Sequence, residues 1–189
     1  MTADETRKKS ALRTLALIAL VCAAPVIASY VAYYWLHRDA RLNYGVLDPR
    51  PAPAIAGTAD GARWELALEK GRWVVLVIAD AACETRCERT LYATRQARTI
   101  QGREQERIVR VLLQPAGAPP PQPAVLDQHP GLVVARGDPG QWASLTGGSG
   151  DRIFILDPLG NLVLRYPPEP DIKGLARDIE RLLKASRIG

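Results

Sequence analysis

Two thiols, Cys83 and Cys87, stand where an apolar run, Val74 to Ile78, gives way to a stretch rich in Glu, Arg and Gln, Glu84 to Gln101. That junction puts them at the start of a helix. Thiolates there are favoured by the macrodipole and by nearby cations, here Arg86 and Arg89, whereas Glu84 and Glu88 oppose the effect. The C-x-x-x-C spacing sets the second thiol one turn on. With Cys83 just before the helix, both sulfurs face one point outside its N-terminus. Three uses are open to such a pair. It can exchange disulfides, with Cys83, nearer solvent and the helix terminus, attacking and Cys87 resolving. It can hold a soft metal, since two thiolates suit Cu(I), while Cu(II) prefers nitrogen and oxygen donors. It can form a static bridge, which restrains the unfolded chain little when the closed loop is so short.

Few other residues compete for a chemical role. The chain has two histidines: His37 lies beside the apolar N-terminal segment, where an interfacial side chain is expected, and His129 sits between Gln128 and Pro130 in loop-like sequence and reads as a surface histidine, with a displaced metal ligand as the alternative. Cys22 stands inside the apolar N-terminal run and reads as a small apolar side chain. Asp151 and Asp157 flank an apolar run and read as turn residues; Trp64, Trp73 and Trp142 read as packing. The net charge of +5 comes mostly from Arg interleaved with Glu. No basic face with stacking aromatics is visible, which argues against a nucleic-acid partner and for attraction to anionic lipid or an acidic protein.

The elements that must position the thiols begin with an anchor. The 23 residues from Thr14 to Leu36 carry no charge, enough to cross a bilayer as one helix, which Pro25 should kink. Arg7, Lys8, Lys9 and Arg13 precede it, so the positive-inside rule places the N-terminus in the cytoplasm; Tyr30, Tyr33, Tyr34 and Trp35 crowd the far end like an aromatic belt. A cleaved signal peptide is the competing reading, but the apolar stretch is long for one and no small-x-small site follows. The expected layout is a cytoplasmic N-terminus over residues 1–13, a transmembrane helix over 14–36, a Pro/Ala-rich linker over 37–57 and one domain over 58–189. That domain would face the periplasm from the inner membrane, where a retained cysteine pair has a redox or metal purpose.

Within the domain, Gly61 to Leu66 predicts a turn and a short strand, and Arg72 to Ile78 a buried central strand. The amphipathic stretch from Glu84 to Gln101 predicts a helix, and Arg107 to Leu113 a second strong strand. Gln114 to Pro123, with Pro119 to Pro121 in a row, predicts a surface loop. A short helix over 124–128, a strand over 132–135 and a helix over 139–145 opened by Pro139 follow. Residues 152–156 and 162–166 flank Asp157-Pro158-Leu159-Gly160-Asn161 and predict a β-hairpin. Ile172, Leu175, Ala176, Ile179, Leu182 and Leu183 fall at helical spacing and predict a final helix that docks one face on a sheet. A parallel β-α-β start, an antiparallel hairpin and a covering helix make the thioredoxin-like order, an α/β fold.

From about Gly61 to Leu183 the chain resembles the Sco/SenC family, membrane-anchored thioredoxin-like proteins that assist copper insertion into cytochrome c oxidase. The resemblance is carried by GRWVVLVIADAACETRC (71–87), VLLQP (111–115), SLTG (144–147) and IFILDPLGNL (153–162). Departures accompany it. Glu84 and Glu88 replace the prolines that follow each cysteine in that family, Ser149 falls near the place of its copper-ligand histidine, and Gln114 replaces an acidic residue after the second strand. The resemblance implies a role in biogenesis of the oxidase copper centre, with an oxidase subunit or another assembly factor as partner. Cys83 and Cys87 would do thiol–disulfide exchange, for which no cofactor is required, keeping a partner's cysteines reduced for metal. Two alternatives stand beside it: a Cu(I) metallochaperone holding copper on Cys83 and Cys87, and a non-catalytic assembly factor on an inherited redox fold.

Overall fold

The computed structural model describes residues 3–36, 43–147 and 152–186. The chain divides into two compact units, residues 1–42 and 43–189. The first holds helix α1, Ala3–Leu36, which runs on through Pro25. Within it, Leu12–Ala32 is long and apolar enough to cross a membrane, with none of that stretch buried. Free Cys22 is exposed on it, as are Leu15, Ile18 and Val26. Such a surface suits lipid and costs free energy in water.

The second unit is built on one eight-stranded sheet in the order β1-β8-β7-β4-β5-β6-β2-β3. Its centre is β4, Trp73–Ile78, with all six residues buried. A strand buried on both faces must be apolar on both, hence the unbroken WVVLVI run. Strand β5, Ile108–Pro115, pairs with β4 in parallel, and β6, Leu132–Gly137, pairs with β5 in parallel. On the other side, β7, Ile153–Leu156, and β8, Asn161–Tyr166, form the expected antiparallel hairpin next to β4. Asp157 closes its turn, accepting from the backbone N–H groups of Leu159 and Asn161 at 3.0 and 2.8 Å.

Alternation along β4 separates two cores. Trp73, Val75 and Val77 face helix α2, Thr85–Thr99, and helix α5, Ile172–Ala185, whose Leu91, Ala97, Leu175, Ile179 and Leu183 complete that layer. Val74, Leu76 and Ile78 face the opposite layer with Trp64, Trp142, Leu145 and Phe154. The three tryptophans are thus packing residues, as expected. Leu175, Ile179 and Leu183 recur every four residues on α5, and burying each contributes about 2 kcal/mol. Asp171 caps α5, accepting from the Gly174 N–H at 2.7 Å.

Residues 46–59 correct the reading of a free tether up to residue 57. Val46–Pro51 is edge strand β1, antiparallel to β8, with a register shift between Leu47 and Arg50. Prolines 49 and 51 are compatible with an edge strand, whose outer side offers no ladder partner. Ala56–Ala59, β2, pairs both with β6 and with β3, Ala62–Glu65, turning through Asp60 and Gly61 at positive φ. Two short pieces, α3 at Pro123–Asp127 and α4 at Ala143–Thr146, the latter after a 3-10 turn at Pro139–Trp142, fill connections on either side of β6. Residues 37–42 of the expected linker lie outside the described residues.

Candidate functional site

The cysteines sit where β4 hands over to α2. Cys83 lies just before Glu84, the N-cap, and Cys87 occupies the third helical position, so the C-x-x-x-C spacing straddles the helix start. Their sulfurs are joined, with the α-carbons 5.1 Å apart. That separation falls in the bridging range, and a loop this short restrains the unfolded chain by only about 2 kcal/mol. Both residues pack against the α2/α5 core.

An open cleft of about 580 Å³ adjoins the bridge, lined among others by Asp80, Ala82, Cys87, Arg152 and Pro168. Cys87 rather than Cys83 contributes to that wall, so the cleft does not single out Cys83 as the more open sulfur. Across the cleft mouth Arg152 donates from Nε and Nη2 to Asp80 at 3.0 and 2.9 Å. A partner chain entering there would meet the bridge, a salt bridge and backbone from residues 79–82.

Arg86, which lines the cleft with Cys87, and Arg89 are ion-paired. Both reach Glu169, at 3.9 and 3.3 Å, on the Pro-Pro-Glu-Pro loop after β8. Glu169 has φ of 56°, and its N–H donates to the Thr90 hydroxyl at 3.2 Å. These contacts hold the proline-rich loop against the first turns of α2. They also offset the cationic charge beside the thiols, so the remaining support for a thiolate is the helix N-terminus, opposed by Glu84 and Glu88.

Beneath the cysteine loop lies Gln114, fully buried near the end of β5. Its Nε2 donates to the Ala81 carbonyl at 3.4 Å, while Oε1 has no hydrogen-bond partner. The sequence marks Gln114 only as a departure from an acidic residue; that it reaches the loop carrying Cys83, from a position 33 residues beyond Ala81, is a tertiary fact. Asp80, Arg152 and Glu169 are equally unmarked in the sequence. The proline run after β8 is the one local signal for them, since Pro167, Pro168 and Pro170 announce a rigid connection.

His129 is corrected outright. It is 5% exposed, not a surface residue, and takes a hydrogen bond at Nδ1 from Arg110 Nη1 at 3.4 Å. Arg110 is itself buried and donates to the Pro130 carbonyl at 3.3 Å. Burial first, then the charges of Arg110 and Arg95, hold the imidazole down at about 4, so it is neutral near pH 7. Burial, with Arg98 and Arg95 adding repulsion, lowers Arg110 to about 10, still charged. The ring nitrogen Nδ1 is thus engaged by Arg110 in the interior.

The fit to copper follows from the donors. A disulfide offers no thiolate; reduction would supply two. Among the described residues no group of three or more His, Cys, Asp or Glu could hold a metal ion. His37, Ser149 and Asp151 lie outside the described residues. Among the described residues the donors that would hold copper are the two sulfurs of the reduced pair, a set that suits Cu(I).

Residues 73–186 match the family model described as transmembrane-like, thioredoxin-like, C-terminal domain. Among solved structures, apo Sco1 from Thermus thermophilus is similar at a TM-score of 0.60 and 20% identity, over 74% of this chain and 95% of that one. Arabidopsis thaliana ScoI with copper bound follows at 0.56 and 18%, over 73% and 99%. A putative thiol:disulfide interchange protein DsbE from Chlorobium tepidum is similar at 0.53 and 20%, over 75% and 100%. At such identities the likeness establishes the fold: it bears out the thioredoxin-like fold class, and the Sco/SenC resemblance as a likeness of fold. No curated protein sequence matches the chain.

Proposed function

The chain belongs to the family of transmembrane-like, thioredoxin-like C-terminal domains, and from that premise we propose that it is a membrane-anchored thiol–disulfide exchange protein acting in cytochrome c oxidase copper-centre biogenesis. The observation that carries this reading is the Cys83–Cys87 bridge at the start of α2, beside an open cleft. A thiol of a partner attacks one sulfur, the intramolecular bond breaks, and a second thiol of the partner displaces the mixed disulfide. Run in reverse, the reduced pair frees the cysteines of an oxidase subunit for metal. The single-pass anchor, Leu12–Ala32, would hold the domain on the periplasmic side of the inner membrane, where such partners are exposed.

Replacing Cys83 by Ser tests the chemistry. Reduction of a model peptide disulfide by the reduced protein should fall to background in Cys83→Ser; an unchanged rate removes exchange as the function. If replacing both cysteines leaves oxidase assembly intact in cells, the non-catalytic reading takes its place. A second reading is favoured by one observation, that the similar Arabidopsis structure is a ScoI with copper bound. On this reading Cu(I) is cargo, held between Cys83 and Cys87 of the reduced chain. Anaerobic titration of the reduced protein with Cu(I) decides it, since absence of tight one-to-one binding eliminates the carrier.

A further inference from the structure

A disulfide has no hydrogen to donate, whereas a reduced pair has two S–H groups. Gln114 brings an unused acceptor to the loop that carries Cys83. Along β5, Ile108 and Leu112 belong to the same core layer against which Cys83 and Cys87 pack. Gln114, two residues beyond Leu112, points to that same face by strand alternation. Its Nε2 donates to the carbonyl of Ala81, two residues before Cys83, and the amide oxygen, fully buried, has no hydrogen-bond partner in the bridged state. Exchanging the amide oxygen and nitrogen would set two acceptors, Oε1 and the Ala81 carbonyl, against each other, so the Ala81 contact fixes the orientation. A buried acceptor left without a donor disfavours the state that strands it.

We propose that Gln114 Oε1 is the acceptor for a thiol hydrogen of the reduced Cys83–Cys87 pair, so that the fold favours the dithiol over the disulfide. The step is the exchange already proposed, on which this inference rests: two thiols of glutathione and the protein disulfide give glutathione disulfide and two protein thiols. One glutathione sulfur attacks a protein sulfur and breaks the bridge, and the second breaks the mixed disulfide. The two protons end on the cysteine sulfurs, one facing Gln114. The amide thereby tunes the poise of the pair without touching the partner.

The test is the redox equilibrium of the full chain with glutathione buffers, read by thiol alkylation, for wild type and for Gln114→Met, which keeps the length of the side chain but replaces the amide oxygen by a thioether, a weak acceptor. The equilibrium should move about tenfold toward the disulfide, about 30 mV for a two-electron couple. Thermal melting of each form is the second measurement: Gln114→Met loses the Ala81 contact in both forms but the thiol contact only in the reduced one, so it should lower the melting temperature of the form reduced with a phosphine more than that of the bridged form. Gln114→Leu should follow Met in both. Equal shifts in the two redox forms, with an unmoved equilibrium, overturn the proposal and leave Gln114 a packing residue. If wild type fails to equilibrate with glutathione at all, exchange is the claim that fails, while the two melting curves still decide the role of Gln114.

Discussion

At the scale of the residue, what matters is which state each buried polar group is built for. His129 is built to be neutral. Its ring faces Arg110 from β5 and Arg95 from α2, with Arg98 of α2 close to Arg110, and no carboxylate hydrogen-bonds to it among the described residues. Its acidity in the fold, about 4, lies below the ordinary 6.5 of an unfolded histidine. Between those values the unfolded chain binds the proton and the folded chain does not, so stability is full above pH 6.5 and declines as pH falls toward 4. Urea denaturation at about pH 7 and about pH 4.5 should show a loss of order ~2 kcal/mol from this group alone. His129→Gln, which keeps an acceptor for Arg110 but cannot protonate, should remove that part of the slope; an identical slope in the variant would show that His129 is not its source. The cysteines follow the same logic in redox form, with Gln114 matched to the thiol state.

At the scale of the element, the site depends on two helices being held against one sheet face. Helix α2 is rich in small buried residues, Thr90, Ala93, Thr94 and Ala97, which let it lie close to the sheet, and Gln101 Nε2 ties its C-terminal end to the Ala176 carbonyl of α5 at 3.1 Å. Helix α5 in turn carries buried Asp178, whose carboxylate accepts from the N–H groups of Tyr44 and Gly45, at 3.1 and 2.8 Å, and from the Tyr166 hydroxyl at 3.2 Å. Burial, and then this carboxylate, push the Tyr166 phenol above its ordinary range, so it remains a donor. One side chain thus joins α5, β8 and the residues that lead into β1. Asp178→Ala strands three donors and should destabilise by about 3 kcal/mol in chemical denaturation, with Asp178→Asn recovering part of that. A cost within about 0.5 kcal/mol would mean the three donors find water and the junction is not a fastening point.

At the scale of the whole molecule, the sheet sets where the folded unit begins. Strand β1 covers the outer side of β8, and β2 covers that of β6. A chain starting at residue 43 retains both and should fold with a cooperative melt and a reducible Cys83–Cys87 bridge. A chain starting at residue 58 lacks β1 and half of β2, baring the edges of β8 and β6. It should melt lower or aggregate, since unpaired edges template association. Equal stability of the two truncations would show that residues 46–57 are a tether after all. Whether Leu12–Ala32 crosses a membrane is a separate matter of length and apolarity, and reporter fusions after residue 189 check the side on which the domain lies.

Composition and spacing alone determined the apolar N-terminal helix, the central strand read at 72–78, the cysteines at the mouth of α2, the hairpin read at 152–166 and the amphipathic α5, because each is a local pattern of side chains whose meaning does not depend on a distant partner. Tertiary structure decided the rest. Residues 46–51 read as a tether because prolines forbid most regular structure, and only β8, more than a hundred residues on, makes an edge strand of them. His129 reads as exposed because Gln128 and Pro130 flank it in loop-like sequence, and only the tertiary structure buries it against Arg110. Glu169 comes to pair with Arg86 and Arg89, and Gln114 to lie under the cysteine loop, through the same cause. Burial and pairing of polar groups are properties of what packs against them, and the chain order does not record that.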